Sequence, residues 1–122
     1  MNKPVRVVLL GEADNAFKKL NEIVGAQVKM GTENTDEMRL LKSIRQKIDF
    51  VKANPFYGDP VAKRLIPEEY KIYGAVNLFR VELSGFWRML YTLKGDKIEI
   101  VAFVLDIIDH QIYDKKFGYR KK

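Results

Sequence analysis

Cationic and aromatic side chains offer the most specific chemistry in this sequence. They gather in its second half, at Lys63, Arg64, Arg80, Arg88, Tyr91, His110 and Tyr113. Cleavage of an RNA phosphodiester without a metal needs a base for the attacking 2′-hydroxyl, cations for the phosphorane charge and an acid for the leaving oxygen. Arginine matches a phosphate with a planar fork of donors, and histidine exchanges a proton near neutral pH. The residue types for such a reaction are present, although a single histidine after a strand is more often structural.

Residue types also exclude most other catalytic and metal chemistries. Cysteine is absent, which excludes thiolate catalysis, disulfides and cysteine-ligated metals, and a single histidine excludes multi-histidine centres. Neither a phosphate-binding glycine loop nor a dinucleotide fingerprint occurs. The neighbouring acids Glu68 and Glu69, or Asp106 with Asp109, lack a third ligand for a hard cation. We expect neither a metal ion nor an organic cofactor.

The chain is basic. Lys and Arg number 22 against 16 Asp and Glu, which gives a formal net charge of +6 and a sequence pI near 9.5. This balance favours a polyanionic or acidic partner. The residues after Asp114 include five cations and no acid: Lys115, Lys116, Arg120, Lys121 and Lys122. They either bind such a partner or form a solvated terminus.

Length and composition are those of one globular domain, residues 1–122, with 47% hydrophobic and 31% charged residues. The longest apolar run, residues 100–105, is far shorter than the ~20 residues that span a bilayer. No signal-peptide pattern occurs near the amino terminus. We therefore expect a soluble, cytoplasmic protein with no membrane partner.

A strand and two helices are predicted in the first half. The strand occupies residues 5–10, and apolar residues at helical spacing then predict a helix from Asp14 to Gly31. Asn34 or Thr35 caps the second helix. This helix ends at Asn54, because a residue that precedes proline is pushed out of the helical region.

The second half is predicted to be rich in strands. They lie at residues 77–83, 87–93 and 98–105, after a short strand or extended segment at 61–66. A two-residue loop at Gly95-Asp96 would place Leu93 opposite Ile98. A loop of odd length centred on Gly85 would place Glu82 opposite Arg88, which keeps the apolar side chains on one face.

These elements predict an α+β fold in which two N-terminal helices pack on one face of a four- to five-stranded, mainly antiparallel sheet. Tyr91 falls on that face, so we expect it to be structural. The opposite face mixes apolar and charged side chains: Leu78, Arg80, Glu82, Arg88, Leu90, Thr92, Glu99, Val101, Phe103 and Leu105. If exposed, such a face would bind a partner, and the alternative is that a loop or the C-terminal segment covers it.

Three short motifs follow one another in the second half. They are Leu-Ser-Gly-Phe-Trp-Arg-Met-Leu-Tyr at residues 83–91, Gly-Asp-Lys-Ile-Glu-Ile-Val at residues 95–101 and Asp-His-Gln-Ile-Tyr at residues 109–113. With the order of a strand, two helices and a meander of strands, they resemble the RelE/ParE toxin superfamily, and look closest to its archaeal RelE-like or YoeB-like members. The resemblance covers most of the chain and is strongest over residues 65–119.

This resemblance implies the toxin of a type II toxin–antitoxin pair that cleaves mRNA in the ribosomal A site. Arg88 matches the arginine that stabilises the phosphate in the family's strand motif, and His110 or Tyr113 would transfer a proton. Arg80, Lys63 and Arg64 correspond loosely to the family's other basic residues. The candidate catalytic residues are Arg88, His110, Tyr113 and Arg80, and the candidate RNA-binding residues are Lys63, Arg64, Lys115, Lys116 and Arg120. The implied partners are mRNA, the ribosome and a small acidic antitoxin.

The sequence departs from the family at three positions. Glu82 stands where a RelE-like member tends to have a basic residue, and the predicted register would let it neutralise Arg88. Asp106 and Asp109 replace basic residues expected after the last strand. Two alternatives to a ribonuclease therefore remain open. One is a ParE-like protein that inhibits DNA gyrase by binding, and the other is an inactive superfamily member that serves only in binding or regulation.

Overall fold

The computed structural model describes residues 3–118, which contain five strands, four α-helices and two 3₁₀ turns. In chain order these are β1 (Val5–Leu9), α1 (Gly11–Lys29), α2 (Asp36–Ala53), β2 (Asp59–Pro60), a first 3₁₀ turn (Lys63–Leu65), α3 (Glu68–Lys71), β3 (Phe79–Glu82), a second 3₁₀ turn (Ser84–Phe86), β4 (Trp87–Gly95), β5 (Ile100–Asp109) and α4 (His110–Phe117). None of the described helices combines the length and the apolar character that a membrane crossing requires.

The strands form one mixed sheet in the order β1-β5-β4-β3-β2. β1 runs parallel to β5, with Val5 opposite Ile100, and the other neighbours are antiparallel. Parallel neighbours need a long connection, and the helices and strands between β1 and β5 supply it. The predicted α+β class, with helices packed on a mainly antiparallel sheet, is confirmed.

The two long helices begin in different ways. Thr35 caps α2 as predicted, since its hydroxyl accepts a hydrogen bond from the backbone of the first turn, and α2 ends before Asn54. α1 begins at Gly11 instead of after Asp14, and no side chain caps it. The carbonyl oxygen of Leu10 accepts hydrogen bonds from the first turn. The predicted start was wrong because the backbone at the end of β1 turns directly into the helix.

α1 and α2 cover one face of the sheet, as expected. The core between them consists of apolar side chains from both layers: Ala13, Leu20, Leu40, Leu41, Ile44, Val51, Phe79, Val81, Leu83, Met89, Tyr91, Ala102, Val104 and Ile107.

The hydroxyl of Tyr91 donates to the carbonyl oxygen of Pro55 at 2.7 Å and accepts from the amide of Gly58 at 3.0 Å. Burial raises the pKa of Tyr91. Its role in holding the loop before β2 is structural, as predicted.

The β3–β4 hairpin has the predicted register. Val81 lies opposite Met89 and Glu82 lies opposite Arg88. The connecting turn includes Gly85 in the left-handed region, with φ of 71°. Because glycine reaches this region without steric cost, the odd-length loop closes and keeps the apolar side chains on the helical side.

The register predicted for the β4–β5 hairpin was wrong. Leu93 lies opposite Ala102, not Ile98, and the connection is longer than two residues. The carboxylate of Asp96 accepts hydrogen bonds from the amides of Ile98 and Glu99, each at 2.8 Å, and so holds the wider loop. The partner of Leu93 is therefore displaced by four residues along the chain. Because four is an even number, Leu93 still faces the helical layer. A bulge at Leu90/Tyr91 then changes the pairing further along β4.

Most of the apolar part of the opposite face is covered, which agrees with the covering alternative, whereas Arg80 and Arg88 on that face stay partly exposed. Residues 61–78 and α4 pack on it and form a second core of Ile66, Tyr70, Ala75, Leu78, Leu90, Leu105, Ile108, Tyr113 and Phe117. Residues 61–66 do not form a strand, because the chain closes a 3₁₀ turn in which the amide of Leu65 donates to the carbonyl oxygen of Ala62.

Candidate functional site

Two arginines from neighbouring strands meet one tyrosine ring beneath α4. Arg80 lies on β3, two residues before Glu82, which is opposite Arg88 on β4, so both arginines project from the face away from α1 and α2. The guanidinium carbons of Arg80 and Arg88 lie 5.9 Å and 5.4 Å from the centroid of the Tyr113 ring. We call Arg80, Arg88 and Tyr113 the arginine–tyrosine cluster.

Tyr113 reaches this position because α4 begins where β5 ends. Asp109 caps the helix by accepting a hydrogen bond from the amide of Ile112 at 2.9 Å. One turn into α4, the ring of Tyr113 is 2% exposed and stacks on Phe117, with centroids 4.3 Å apart. The predicted catalytic tyrosine is therefore a buried residue that presents its ring to two cations.

Arg80 is held at both ends of its guanidinium. Nη1 donates to the hydroxyl of Tyr113 at 3.2 Å, and Nη2 contacts the carboxylate of Asp59 at 3.3 Å. The hydrogen bond to Tyr113 is the main cause that raises the pKa of Arg80. Both terminal nitrogens of Arg80 therefore have a partner within the fold, whereas its Nε is buried without one and the side chain is still 29% exposed.

Arg88 is bound differently. Its Nη1 donates to the carbonyl oxygens of Phe86 at 2.9 Å and Trp87 at 3.4 Å. Glu82 lies opposite in the strand register, yet no salt bridge within residues 3–118 involves Arg88. The expected neutralisation by Glu82 is therefore not seen, because the guanidinium turns to Tyr113 and to the backbone. Arg88 keeps an uncompensated positive charge that is half-buried, which suits a phosphate.

His110 lies at the edge of this cluster. It is the first residue of α4 and is exposed to solvent. Its ring meets the ring of Phe86 edge to face, with centroids 5.8 Å apart, and the carbonyl oxygen of the same Phe86 accepts from Arg88. The structure therefore connects the only histidine of the chain to Arg88 through a single intervening residue.

The basic residues predicted to bind RNA have unlike environments. Lys63 and Arg64 lie exposed on the first 3₁₀ turn, and Lys115 is exposed on α4. Lys116 is used within the fold, where it contacts Glu69 and lies 3.8 Å from Asp106. Arg120, also predicted to bind RNA, lies outside the described residues.

Asp106 and Asp109, which precede His110, lie within β5 and not after the last strand as predicted, because β5 continues to Asp109, and both are engaged in the fold. Asp109 caps α4, as described above. Asp106 is buried beneath α3 and α4, where its carboxylate accepts a hydrogen bond from the hydroxyl of Tyr70 at 2.8 Å. Burial raises the pKa of Asp106, and the hydrogen bond from Tyr70 and the nearby ammonium of Lys116 oppose this effect. Neither carboxylate is placed to cancel the charge of Arg88.

Phe86 and Asp59 were not predicted as site residues. Phe86 lies in the hairpin motif directly after Gly85, where an aromatic residue in a tight turn is itself an unusual signal. The pairing of Asp59 with Arg80 depends on β2, a strand of two residues that the sequence pattern does not reveal.

Within residues 3–118 no group of three or more acidic or histidine side chains converges as a metal site would require. No family model, curated protein or solved structure matches the chain.

Proposed function

We propose that this protein is the toxin component of a type II toxin–antitoxin system and acts in the cytoplasm as a ribosome-dependent, metal-independent mRNA endoribonuclease. The observation that supports it most directly is the arginine–tyrosine cluster, in which two strand arginines share one aromatic ring beside the only histidine. The motifs that resemble the RelE/ParE superfamily assign the same residues to this chemistry.

Each residue has a proposed role in the cleavage. Arg88 binds the scissile phosphate and stabilises the charge that develops on it, because no carboxylate competes for its guanidinium. The 2′-oxygen attacks the phosphorus and the bond to the 5′-oxygen breaks, which leaves a 2′,3′-cyclic phosphate and a 5′-hydroxyl end. His110, exposed and next to the phosphate site, takes the proton from the 2′-hydroxyl, and solvent water protonates the leaving 5′-oxygen. Arg80 and Tyr113 are positioning residues, since their hydrogen bond fixes the ring against which Arg88 lies.

The proposed partners follow from charge. The net charge of +6 supports binding to mRNA on the ribosome and, in the resting state, to a small acidic antitoxin. Exposed Lys63, Arg64 and Lys115 would contribute to the RNA contact through phosphates, which position the strand without reading its sequence. Lys116 contributes less, because Glu69 already binds it.

Induced expression tests this proposal. Wild type should arrest growth and yield mRNA with new 5′-hydroxyl ends at ribosomal A-site positions, as mapped by sequencing of the ends. Arg88→Ala should abolish the arrest and the cleavage, and Arg88→Lys should restore only part of them because it lacks the planar fork. Arg45→Ala, which removes the same charge from α2 in the other layer, is the matched control and should stay toxic.

Two outcomes would contradict the proposal. Growth arrest with intact transcripts and gyrase-dependent DNA breaks would instead support the ParE-like alternative. No arrest by wild type, together with retained binding of an acidic partner, would support an inactive member of the superfamily.

A further inference from the structure

Phe86 is the unusual residue in the hairpin turn. Its side chain is 72% exposed, although aromatic rings are normally among the most buried groups in a protein. Its backbone has φ of 64°, a left-handed conformation that is unfavourable for any residue with a Cβ and a clear outlier for a bulky one. The fold therefore holds a phenyl ring in solvent by means of a strained backbone, and such strain is often found at binding sites.

Two contacts hold Phe86 in this orientation, and both come from proposed site residues. Arg88 donates from Nη1 to the carbonyl oxygen of Phe86 at 2.9 Å, which fixes the backbone. His110 contacts the ring edge to face at 5.8 Å, which fixes the side chain. The same residue thus presents an aromatic surface to solvent and binds, through its carbonyl oxygen, the uncompensated guanidinium that we assign to the phosphate.

We propose that Phe86, supported by His110, is a stacking platform for one unpaired base of a single-stranded RNA whose adjacent phosphate is bound by Arg88. This inference rests on the proposed function and adds a second type of contact to the same site. Proteins that bind single-stranded nucleic acid combine a cationic path for the backbone with aromatic rings for the bases. Because every base has a π-face, the platform would tolerate different bases at that position.

The neighbouring charge favours an RNA strand over an apolar protein segment as the occupant. An apolar segment over Phe86 would also cover Arg88 and leave its half-buried charge without a partner. A nucleotide satisfies both groups, since its base covers the ring and its phosphate meets the guanidinium. Stacking of one base on an aromatic residue changes affinity by roughly 5- to 150-fold.

Binding to short 2′-O-methyl RNA strands tests the inference without cleavage, because these strands lack the attacking hydroxyl. One strand has all its bases, and a matched strand of the same length and charge is abasic. Fluorescence anisotropy of an end-labelled strand gives the affinity for wild type, Phe86→Leu and Phe86→Trp. Leucine removes the aromatic face but keeps an apolar side chain, and tryptophan keeps the face. Circular dichroism checks that each variant is folded.

The expected pattern separates stacking from charge. Phe86→Leu should lower the affinity for the strand with bases by roughly 10-fold and leave that for the abasic strand unchanged, whereas Phe86→Trp should retain wild-type affinity. The salt dependence should be the same in wild type and Phe86→Leu, because the number of phosphate contacts is the same. Arg88→Ala should lower the affinity for both strands and reduce the slope of log affinity against log salt by about 1.

Equal affinity of wild type for the two strands, or wild-type affinity of Phe86→Leu for the strand with bases, would overturn the platform. The proposed ribonuclease would survive either result if Arg88→Ala still lost mRNA cleavage. Absence of any RNA binding or cleavage by wild type would overturn both proposals.

Discussion

The guanidinium of Arg80 on β3 donates a hydrogen bond to the hydroxyl of Tyr113 on α4 at 3.2 Å. This bond joins the sheet to the C-terminal helix that covers it, at the place where Arg88 also contacts the tyrosine ring. The position of the proposed phosphate-binding cation therefore depends on how α4 docks. Removing the Tyr113 ring and removing only its hydroxyl should therefore have different effects on stability and on cleavage.

Tyr113→Phe removes the hydroxyl and keeps the ring. We expect the free energy of unfolding to fall by about 1 kcal/mol, because a single hydrogen bond is lost. Cleavage should decrease by no more than roughly 10-fold, which is below the effect of removing a group that transfers protons. Denaturant unfolding and single-turnover cleavage measure the two quantities. A decrease of more than 100-fold with unchanged stability would show that Tyr113 is itself catalytic.

His110→Ala tests the proton-transfer role. The cleavage rate should fall by roughly 100-fold or more, while the affinity for a non-cleavable strand changes only a few-fold. Added imidazole should restore part of the rate, because it supplies the missing base in solution. Gln111→Ala, at the next exposed position of α4, is the matched control and should cleave as wild type does. Full activity of His110→Ala would remove the histidine from the mechanism.

Asp106 predicts a dependence of stability on pH. Burial raises the pKa of its carboxyl above the ordinary value of 3.8, so the folded state binds more protons than the unfolded state between the two values. The contribution of Asp106 to the free energy of unfolding must then decrease as pH rises through this window, by up to about 1.4 kcal/mol per pH unit.

Asp106→Asn should abolish this dependence. An amide oxygen can still accept the hydrogen bond from Tyr70, but the side chain no longer titrates. The variant should therefore gain stability relative to wild type as pH rises above 3.8, as measured by urea unfolding at a series of pH values. Asp49→Asn on exposed α2 serves as the control. A difference that is constant with pH, or of the opposite sign, would contradict this explanation.

The left-handed backbone at Phe86 predicts that glycine at this position is more stable than alanine, the reverse of their usual order. Phe86→Ala and Phe86→Gly both remove the ring and its contact with His110, but only glycine relieves the left-handed backbone. We expect Phe86→Gly to be more stable than Phe86→Ala by about 1 kcal/mol, although glycine is normally the more destabilising of the two. Guanidinium unfolding of the pair measures this difference. Equal stability would mean that the backbone strain at residue 86 is absent.

Elements governed by neighbouring residues were predicted well. Thr35 caps α2 and Asn54 ends it, because capping and the steric effect of Pro55 act within a few residues. The β3–β4 register follows in the same way from Gly85 and from the alternation of apolar side chains. The β4–β5 loop was mispredicted because Asp96 can bond either a tight or a wide turn, and both keep Leu93 on the apolar face.

The sequence by itself determined the α+β class, the two faces of the sheet and the fact that Arg80 and Arg88 lie on the same one, since these depend on short-range periodicity. Only the tertiary structure decided that α4 covers much of that face, that the buried Tyr113 ring lies against both arginines and that Arg88 has no carboxylate partner within residues 3–118. These features arise from contacts between residues distant in the chain, where packing selects among side-chain directions that are locally equivalent. A pattern of residue types does not specify which of these side-chain directions packing selects.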